Sequence, residues 1–190
     1  MLTAAETERP HVRAARAGES DAWDALFKRY QLPLYAYVKE LVRDEQTSLD
    51  IVQETFINAA RHIAGLRDDA RFGSWLFGIA HQKCVQFWRR ESRERELEER
   101  LVEASELESE DGPLDLLIRK EREAAFLALV EELPPPQRSV LLLRFLEDFS
   151  LEEIATITET GVGTVKSRLH YAKKSLRKLI EEKEHEPNTA

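Results

Sequence analysis

The chain is predicted to be all-α: two small helical domains joined by an acidic flexible linker, with a helix-turn-helix in the C-terminal domain. Three observations predict this. Apolar residues recur at spacings of three and four over most of the 190 residues, the period of a helix face. No strand-like alternation runs longer than a few residues, and only seven glycines and seven prolines punctuate the chain. One acidic stretch without aromatics, containing the helix-breaking pair Gly112-Pro113, divides it. The expected bounds are a flexible tail over 1–19, an N-terminal domain over 20–92, the linker over 93–116, a C-terminal domain over 117–183 and a short tail over 184–190.

The elements follow in order. Trp23, Leu26, Phe27 and Tyr30 form the stripe of a first helix, with Asp21 placed to cap it. Pro33 suits the first turn of a second helix, which carries Leu34, Tyr35, Val38, Leu41 and Val42. Thr47 or Ser48 could cap a third, whose apolar set is Leu49, Ile51, Val52, Phe56, Ile57 and Ile63. A fourth is expected from about Phe72 to Arg90 or beyond, burying Trp75, Leu76, Ile79, Ala80 and Phe87. Beyond the linker the helical period resumes over Leu117–Leu133 and, after Pro134-Pro135-Pro136, over Gln137–Phe145. Ser150 and Glu153 form a capping box that opens a short helix. The last helix is expected from Thr164 to about Glu182.

The formal net charge is −8, which taken alone disfavours binding a polyanion. It is unevenly spread. Between Glu91 and Ile118 stand eleven acids and three arginines, so that segment carries the whole imbalance and leaves the rest neutral. No run approaches the ~18 consecutive apolar residues of a membrane span. The N-terminus has no apolar stretch of secretory type, and the one cysteine, Cys84, cannot form an internal disulfide; a cytoplasmic protein is expected.

Residues 150–179 are the most informative. A capped helix with Leu151, Ile154 and Ala155 meets a turn containing Gly161 and Gly163. The helix after it places Val165, Leu169, Ala172, Leu176 and Leu179 on one side. From Thr164 to Ile180 it carries Lys166, Arg168, Lys173, Lys174, Arg177 and Lys178 and no acid. Recognition helices present their N-terminal residues to base edges, and Arg, Lys, Ser and Thr serve bases and phosphates there. Thr164, Lys166, Ser167, Arg168, His170, Tyr171 and Lys174 are the candidate duplex contacts. A solvated amphipathic helix is the plainer reading of the same face.

The run Gly163-Thr-Val-Lys-Ser-Arg-Leu-His-Tyr-Ala172 resembles the recognition helix of the extracytoplasmic-function (ECF) sigma factors of bacterial RNA polymerase. Tyr171 stands where many members carry a basic residue. Leu133-Pro134 and Gln137-Arg138 resemble the start of the same domain. The resemblance implies binding to the −35 promoter element. A second match is independent of it. Asp50-Ile-Val-Gln-Glu-Thr-Phe56 resembles the family's Asp-x-Val-Gln-Glu-x-Phe signature and implies that Asp50, Gln53, Glu54 and Phe56 bind core RNA polymerase. Asp50, Gln53 and Glu54 sit at i, i+3 and i+4 and share one helix face.

Residues 72–90 resemble the family's segment that recognises and helps melt the −10 element together with the loop before it. Aromatics interleaved with cations suit a single strand: cations follow the backbone while rings stack on unpaired bases. The candidates are Trp75, Lys83, Gln86, Trp88, Arg89 and Arg90. Phe72, Trp75 and Ile79 read more readily as core than as DNA contacts; Lys83, Arg89 and Arg90 are the firmer choices. The family further implies promoter DNA and an anti-sigma factor as partners, no cofactor, and no catalysis by the chain itself.

Two rivals remain open on the residues alone. One is an ordinary helix-turn-helix regulator, which has no need of the heptapeptide 50–56. The other is a helical adaptor, which has no need of the acid-free basic helix. His81 and Cys84 stand at i, i+3, but two ligands do not make a metal site, and none is expected.

Overall fold

The computed structural model describes residues 4–99 and 127–185. The acidic stretch 100–126, which holds most of the expected linker, lies outside the described residues. Eight α-helices are described: α1 (Ala4–Arg16), α2 (Ser20–Val42), α3 (Glu45–His62), α4 (Phe72–Glu99), α5 (127–131), α6 (Pro135–Phe145), α7 (Leu151–Ile157) and α8 (Val162–His185). Two 3₁₀ turns, Ile63–Gly65 and Asp69–Arg71, form the connection between α3 and α4. No strand occurs among the described residues.

The N-terminal half corrects several expectations. Residues expected to fray form α1, which buries Val12 and Ala15. It closes on Gly18, whose φ of +91° suits a residue without Cβ. Gly18 N–H donates to Ala15 O and Glu19 N–H to Ala14 O, at 3.1 and 3.0 Å. Asp21 does not cap the next helix, and Pro33 does not open one. Both lie inside the continuous α2, which starts at Ser20 after an uncapped Glu19. An interior proline costs ~3 kcal/mol or more. Against it, Ala22, Leu26, Tyr30, Leu34, Tyr37, Val38 and Leu41 keep one buried helical phase through Pro33, and each large apolar side chain contributes ~1.5–3 kcal/mol. The cap of α3 is Asp44, accepting from Thr47 N–H at 2.7 Å, rather than Thr47 or Ser48. Leu49 and Ile57, expected inside, are 47 % and 41 % exposed.

α4 crosses α2 closely. A Cβ on Gly73 would lie 2.7 Å from Tyr30 Oη, so any larger residue there would have to displace the Tyr30 hydroxyl. Phe72, Leu76, Phe77, Ala80 and Cys84 line the buried face of α4, and Phe77 stacks on Tyr37 at 5.4 Å.

In the C-terminal half the capping box forms as expected, with Ser150 Oγ accepting from Glu153 N–H at 3.2 Å and Glu153 Oε2 from Ser150 N–H at 2.9 Å. The turn of the helix-turn-helix differs from expectation. Its left-handed residue is Glu159 (φ 50°), not a glycine. Thr160 N–H bonds Ala155 O and Glu159 N–H bonds Thr156 O, the paired pattern that ends a helix. α8 starts at Val162, so Gly163 lies within it.

The two halves share one core. Phe149, just before α7, meets Phe77 edge-on at 5.2 Å. Gly78 of α4 faces the backbone of Ile157, and Gln82 donates to the Glu159 carboxylate. At the other end Arg138 of α6 donates to Glu40 O of α2 at 2.9 Å.

Candidate polymerase and promoter interfaces

On α3, Asp50, Gln53 and Glu54 are all exposed on one face, as their spacing requires. Phe56 is not among them. It is buried, with its ring 4.8 Å from Phe27, and so anchors α3 to α2. The exposed face instead includes Leu49 and Ile57, which flank Gln53 at four-residue steps. The sequence hid them, because apolar residues on a helix are assigned inward by default. Asp50 accepts from Gln46 at 3.1 Å, and Glu54 is ion-paired with Lys83 of α4. A cleft of about 390 Å³ between α3 and α4 is lined by Thr47, Asp50, Ile51, Glu54, Lys83, Gln86, Phe87 and Arg90.

Along α4 the expected single-strand contacts divide. Gln86, Arg89 and Arg90 are exposed and Lys83 is partly so; Arg90 lies over the Phe87 ring at 5.7 Å. Trp75 is half-buried, 5.9 Å from Phe72. Trp88 is held inward: its indole N–H donates to Leu41 O at 2.9 Å, and its ring meets His81 edge-on. Lys83 joins the exposed face of α3 to α4, since Glu54 holds it.

His81 and Cys84 are committed to the interior. The His81 imidazole is 6 % exposed and pairs through Nδ1 with the Tyr37 hydroxyl at 2.8 Å. Burial, reinforced by the positive charge of Arg168, pushes its pKa down to about 4. Burial pushes the Cys84 thiol up to about 12. Because folded His81 resists protonation while the unfolded chain titrates near 6.5, its stabilisation is complete above about pH 6.5. It is lost as pH falls toward 4. Between pH 7 and 5 the wild type is expected to lose about 2 kcal/mol of unfolding free energy that His81→Gln does not lose. Urea titrations of both proteins at the two pH values measure the difference.

On α8, Val165, Leu169, Ala172 and Leu176 are buried. That turns Thr164, Lys166, Ser167, His170, Tyr171 and Lys174 outward, all of them exposed. Ser167 Oγ donates to Thr164 O at 2.9 Å, and the His170 and Tyr171 rings meet at 5.6 Å. Arg168 is only partly exposed and faces the other half of the molecule near His81. The outward face is cationic and acid-free at the N-terminal end of the helix, where a major-groove reader presents its side chains.

Residues 26–94 match the family described as Sigma-70 region 2, and residues 123–176 the family described as Sigma-70, region 4. The RNA polymerase sigma-H factor of Pseudomonas aeruginosa is 30 % identical over 188 residues, covering 95 % of this chain and 97 % of that protein. The chain belongs to the RNA polymerase sigma factors, in the ECF group. The ECF sigma-E factor of Escherichia coli is 29 % identical over 182 residues, covering 92 % and 95 % of the two chains. In solved structures the fold is that of CnrH, determined in complex with the cytosolic domain of CnrY: TM-score 0.68 at 21 % identity over 92 % of this chain and 97 % of that one. Like other sigma factors, this one serves promoter recognition and the initiation of transcription with RNA polymerase. Among the described residues no helix is long and apolar enough to cross a membrane.

Proposed function

We propose that this sigma factor divides its work among three helices. The exposed face of α3, with Asp50, Gln53 and Glu54 joined by Leu49 and Ile57, docks on core polymerase. α4 and the loop before it take the melted −10 strand through Lys83, Gln86, Arg89 and Arg90, with Trp75 as the available ring. α8 reads the −35 duplex through Thr164, Lys166, Ser167, His170, Tyr171 and Lys174, and Arg168 joins them once the halves part. With α1 packed on α2, the N-terminal domain takes in residues 4–92 rather than 20–92, and the C-terminal domain keeps the bounds 117–183. The chain contributes specificity, the polymerase contributes the chemistry, and the work is cytoplasmic.

The observation that carries this reading is the exposed acidic and apolar face of α3 beside a cationic α4. A regulator that binds duplex DNA alone needs a cationic surface but not that face. Each half offers modest affinity, and the polymerase holds them at the separation of the two promoter elements. Each then acts at high effective concentration. An anti-sigma partner is part of the proposal: the similar RpoE of Bartonella quintana was solved with the anti-sigma factor NepR (TM-score 0.63, 24 % identity, over 83 % of this chain and 97 % of that one).

The test is size exclusion with bacterial core polymerase followed by run-off transcription. Co-elution and discrete start sites that need both proteins are expected. A chain that shifts duplex DNA yet neither co-elutes with polymerase nor redirects its start sites is an ordinary regulator.

A further inference from the structure

The connection between α3 and α4, residues 63–71, has two short 3₁₀ turns and few internal hydrogen bonds of its own. Leu66 N–H reaches Ile63 O, Arg71 N–H reaches Asp68 O, and Asp68 Oδ1 accepts from Ala70 N–H. From outside, Ile63 and Leu66 pack on the core and α1 supplies side-chain hydrogen bonds. Arg16 donates to Leu66 O at 2.9 Å, to Ile63 O at 3.4 Å and to Asp69 Oδ1 at 2.7 Å. Arg13 donates to the second oxygen, Asp69 Oδ2, at 2.9 Å. The Asp69 side chain is 12 % exposed, and the two arginines hold its pKa below the usual carboxylate value despite the opposing effect of burial.

α1 is itself fixed. Val12 and Ala15 are buried, and the Trp23 indole N–H donates to Ala15 O at 3.2 Å. The Trp23 ring meets Phe72, the first residue of α4, at 6.4 Å. The clamp, the loop and the start of α4 therefore form one rigid unit. The clamp also changes the local charge. Residues 63–71 hold Arg67 and Arg71 against Asp68 and Asp69, a balance of zero. Arg13 and Arg16 bring the unit to +2 and neutralise the acid lying nearest them.

We propose that Arg13 and Arg16 are positioning residues for −10 strand recognition: they hold the α3–α4 loop in its binding shape before DNA arrives, and they cancel the Asp69 charge that would repel the strand. The proposal rests on the reading of that loop and α4 as the −10 surface. A loop already ordered does not lose its conformational freedom on binding, which otherwise costs ~1–2 kcal/mol per backbone residue.

The experiment uses the holoenzyme formed with core polymerase. The probe is a fluorescent non-template strand from a promoter that the wild-type holoenzyme starts from, beside a scrambled strand. In the Arg13→Ala/Arg16→Ala variant, binding of the promoter strand is expected to weaken at least ~10-fold, a loss of about 1.4 kcal/mol or more. Affinity for core polymerase and for −35 duplex should stay within about twofold. Arg16→Lys keeps the charge but cannot fork between Leu66 O and Asp69. It should recover binding to the scrambled strand more than preference for the promoter strand. Hydrogen exchange at Leu66, Ala70 and Arg71 should speed up in the double variant while α2 and α3 stay protected. Unchanged exchange in the loop, or strand binding that falls only in step with polymerase affinity, overturns the clamp. A wild-type holoenzyme that does not prefer the promoter strand overturns the underlying −10 reading, and the clamp with it.

Discussion

Replacing Asp50, Gln53 and Glu54 together with alanine is expected to weaken binding to core polymerase by at least ~100-fold, with thermal stability shifted by no more than about 2 °C. The fold loses little. All three side chains are exposed, alanine is the better helix former, and the internal contacts given up are one surface hydrogen bond and one ion pair whose carboxylate is 63 % exposed and whose lysine is 17 % exposed. With the carboxylate end in water, such a pair contributes about 1 kcal/mol at most, which alanine's helix propensity offsets in part. On the proposed docking the interface loses much more, because the same carboxylates would be desolvated against the polymerase. Truncating one member of a buried charge pair costs ~2–5 kcal/mol, and two carboxylates and an amide go at once. Leu49 and Ile57 supply apolar area within the same face, and Ile57→Asp is expected to act in the same direction. The single variant Glu54→Ala carries a distinguishing sign: it frees Lys83, so affinity for non-specific single-stranded DNA should hold or rise while polymerase affinity falls. Size exclusion and fluorescence anisotropy against core polymerase, anisotropy against a non-specific single strand and a thermal melt measure the three quantities. A triple variant that still binds polymerase within a few-fold of wild type removes α3 from the interface.

The parts of the fold legible in the sequence were those decided within one or two helical turns. The Ser150–Glu153 capping box and the buried set Val165, Leu169, Ala172 and Leu176 depend only on spacing, and both stand in the structure. The same spacing put Asp50, Gln53 and Glu54 of α3 and the cationic face of α8 on the outside. Where several local solutions compete, spacing does not choose between them. Asp44, Thr47 and Ser48 all offer a capping oxygen, and Asp44 prevails; Thr47 gives the N–H it accepts, and Ser48 donates to its carbonyl. Glu159 takes the left-handed position although two glycines stand close by, because the two bonds closing α7 fall on Glu159 and Thr160.

What the sequence hid is non-local. Residues 4–16 offer few apolar side chains for their length, so they read as a tail. The bonds that hold α1 run to Ile63, Leu66 and Asp69, about fifty residues away. Phe56 and Trp88 look like members of functional motifs but turn inward for the same reason, each meeting a partner on another helix. The packing of α7 on α4 is equally invisible in a linear reading. It engages the Gln82 amide with the Glu159 carboxylate and brings Arg168 toward α4. On the proposed division of work, the two halves part before each meets its own promoter element.

Arg138 shows how a motif residue earns its place structurally. It is 5 % exposed, although it reads in sequence as one more surface cation after a proline run. Its guanidinium donates to Val130 O at 3.2 Å, Glu131 O at 2.5 Å, Leu133 O at 3.0 Å and, across the two halves, Glu40 O at 2.9 Å. Three of these carbonyls belong to the end of α5 and the turn after it, where the helical ladder runs out and only Val130 O still takes a backbone N–H, that of Leu133 at 3.1 Å. Arg138→Met fills much of the volume; Val130 O keeps the Leu133 N–H and Glu131 O keeps the Arg43 guanidinium, but Leu133 O and Glu40 O lose the Arg138 donor. At ~1–3 kcal/mol for each buried group left unsatisfied, partly relieved by water, the expected loss is about 2–4 kcal/mol and a fall in Tm of about 8 °C. Arg138→Lys should rescue little, since a point-like ammonium cannot fork toward carbonyls in several directions. Arg144 supplies the contrast. It lies two turns further along α6, is exposed and donates only to Phe149 O at 2.9 Å, so Arg144→Met should move Tm by no more than about 2 °C. Thermal melts of the three variants decide the matter. If Arg138→Met melts with wild type, the four bonds are not what joins α6 to α5 and α2, and the apolar contacts of Val130, Leu133 and Leu141 must hold that junction alone.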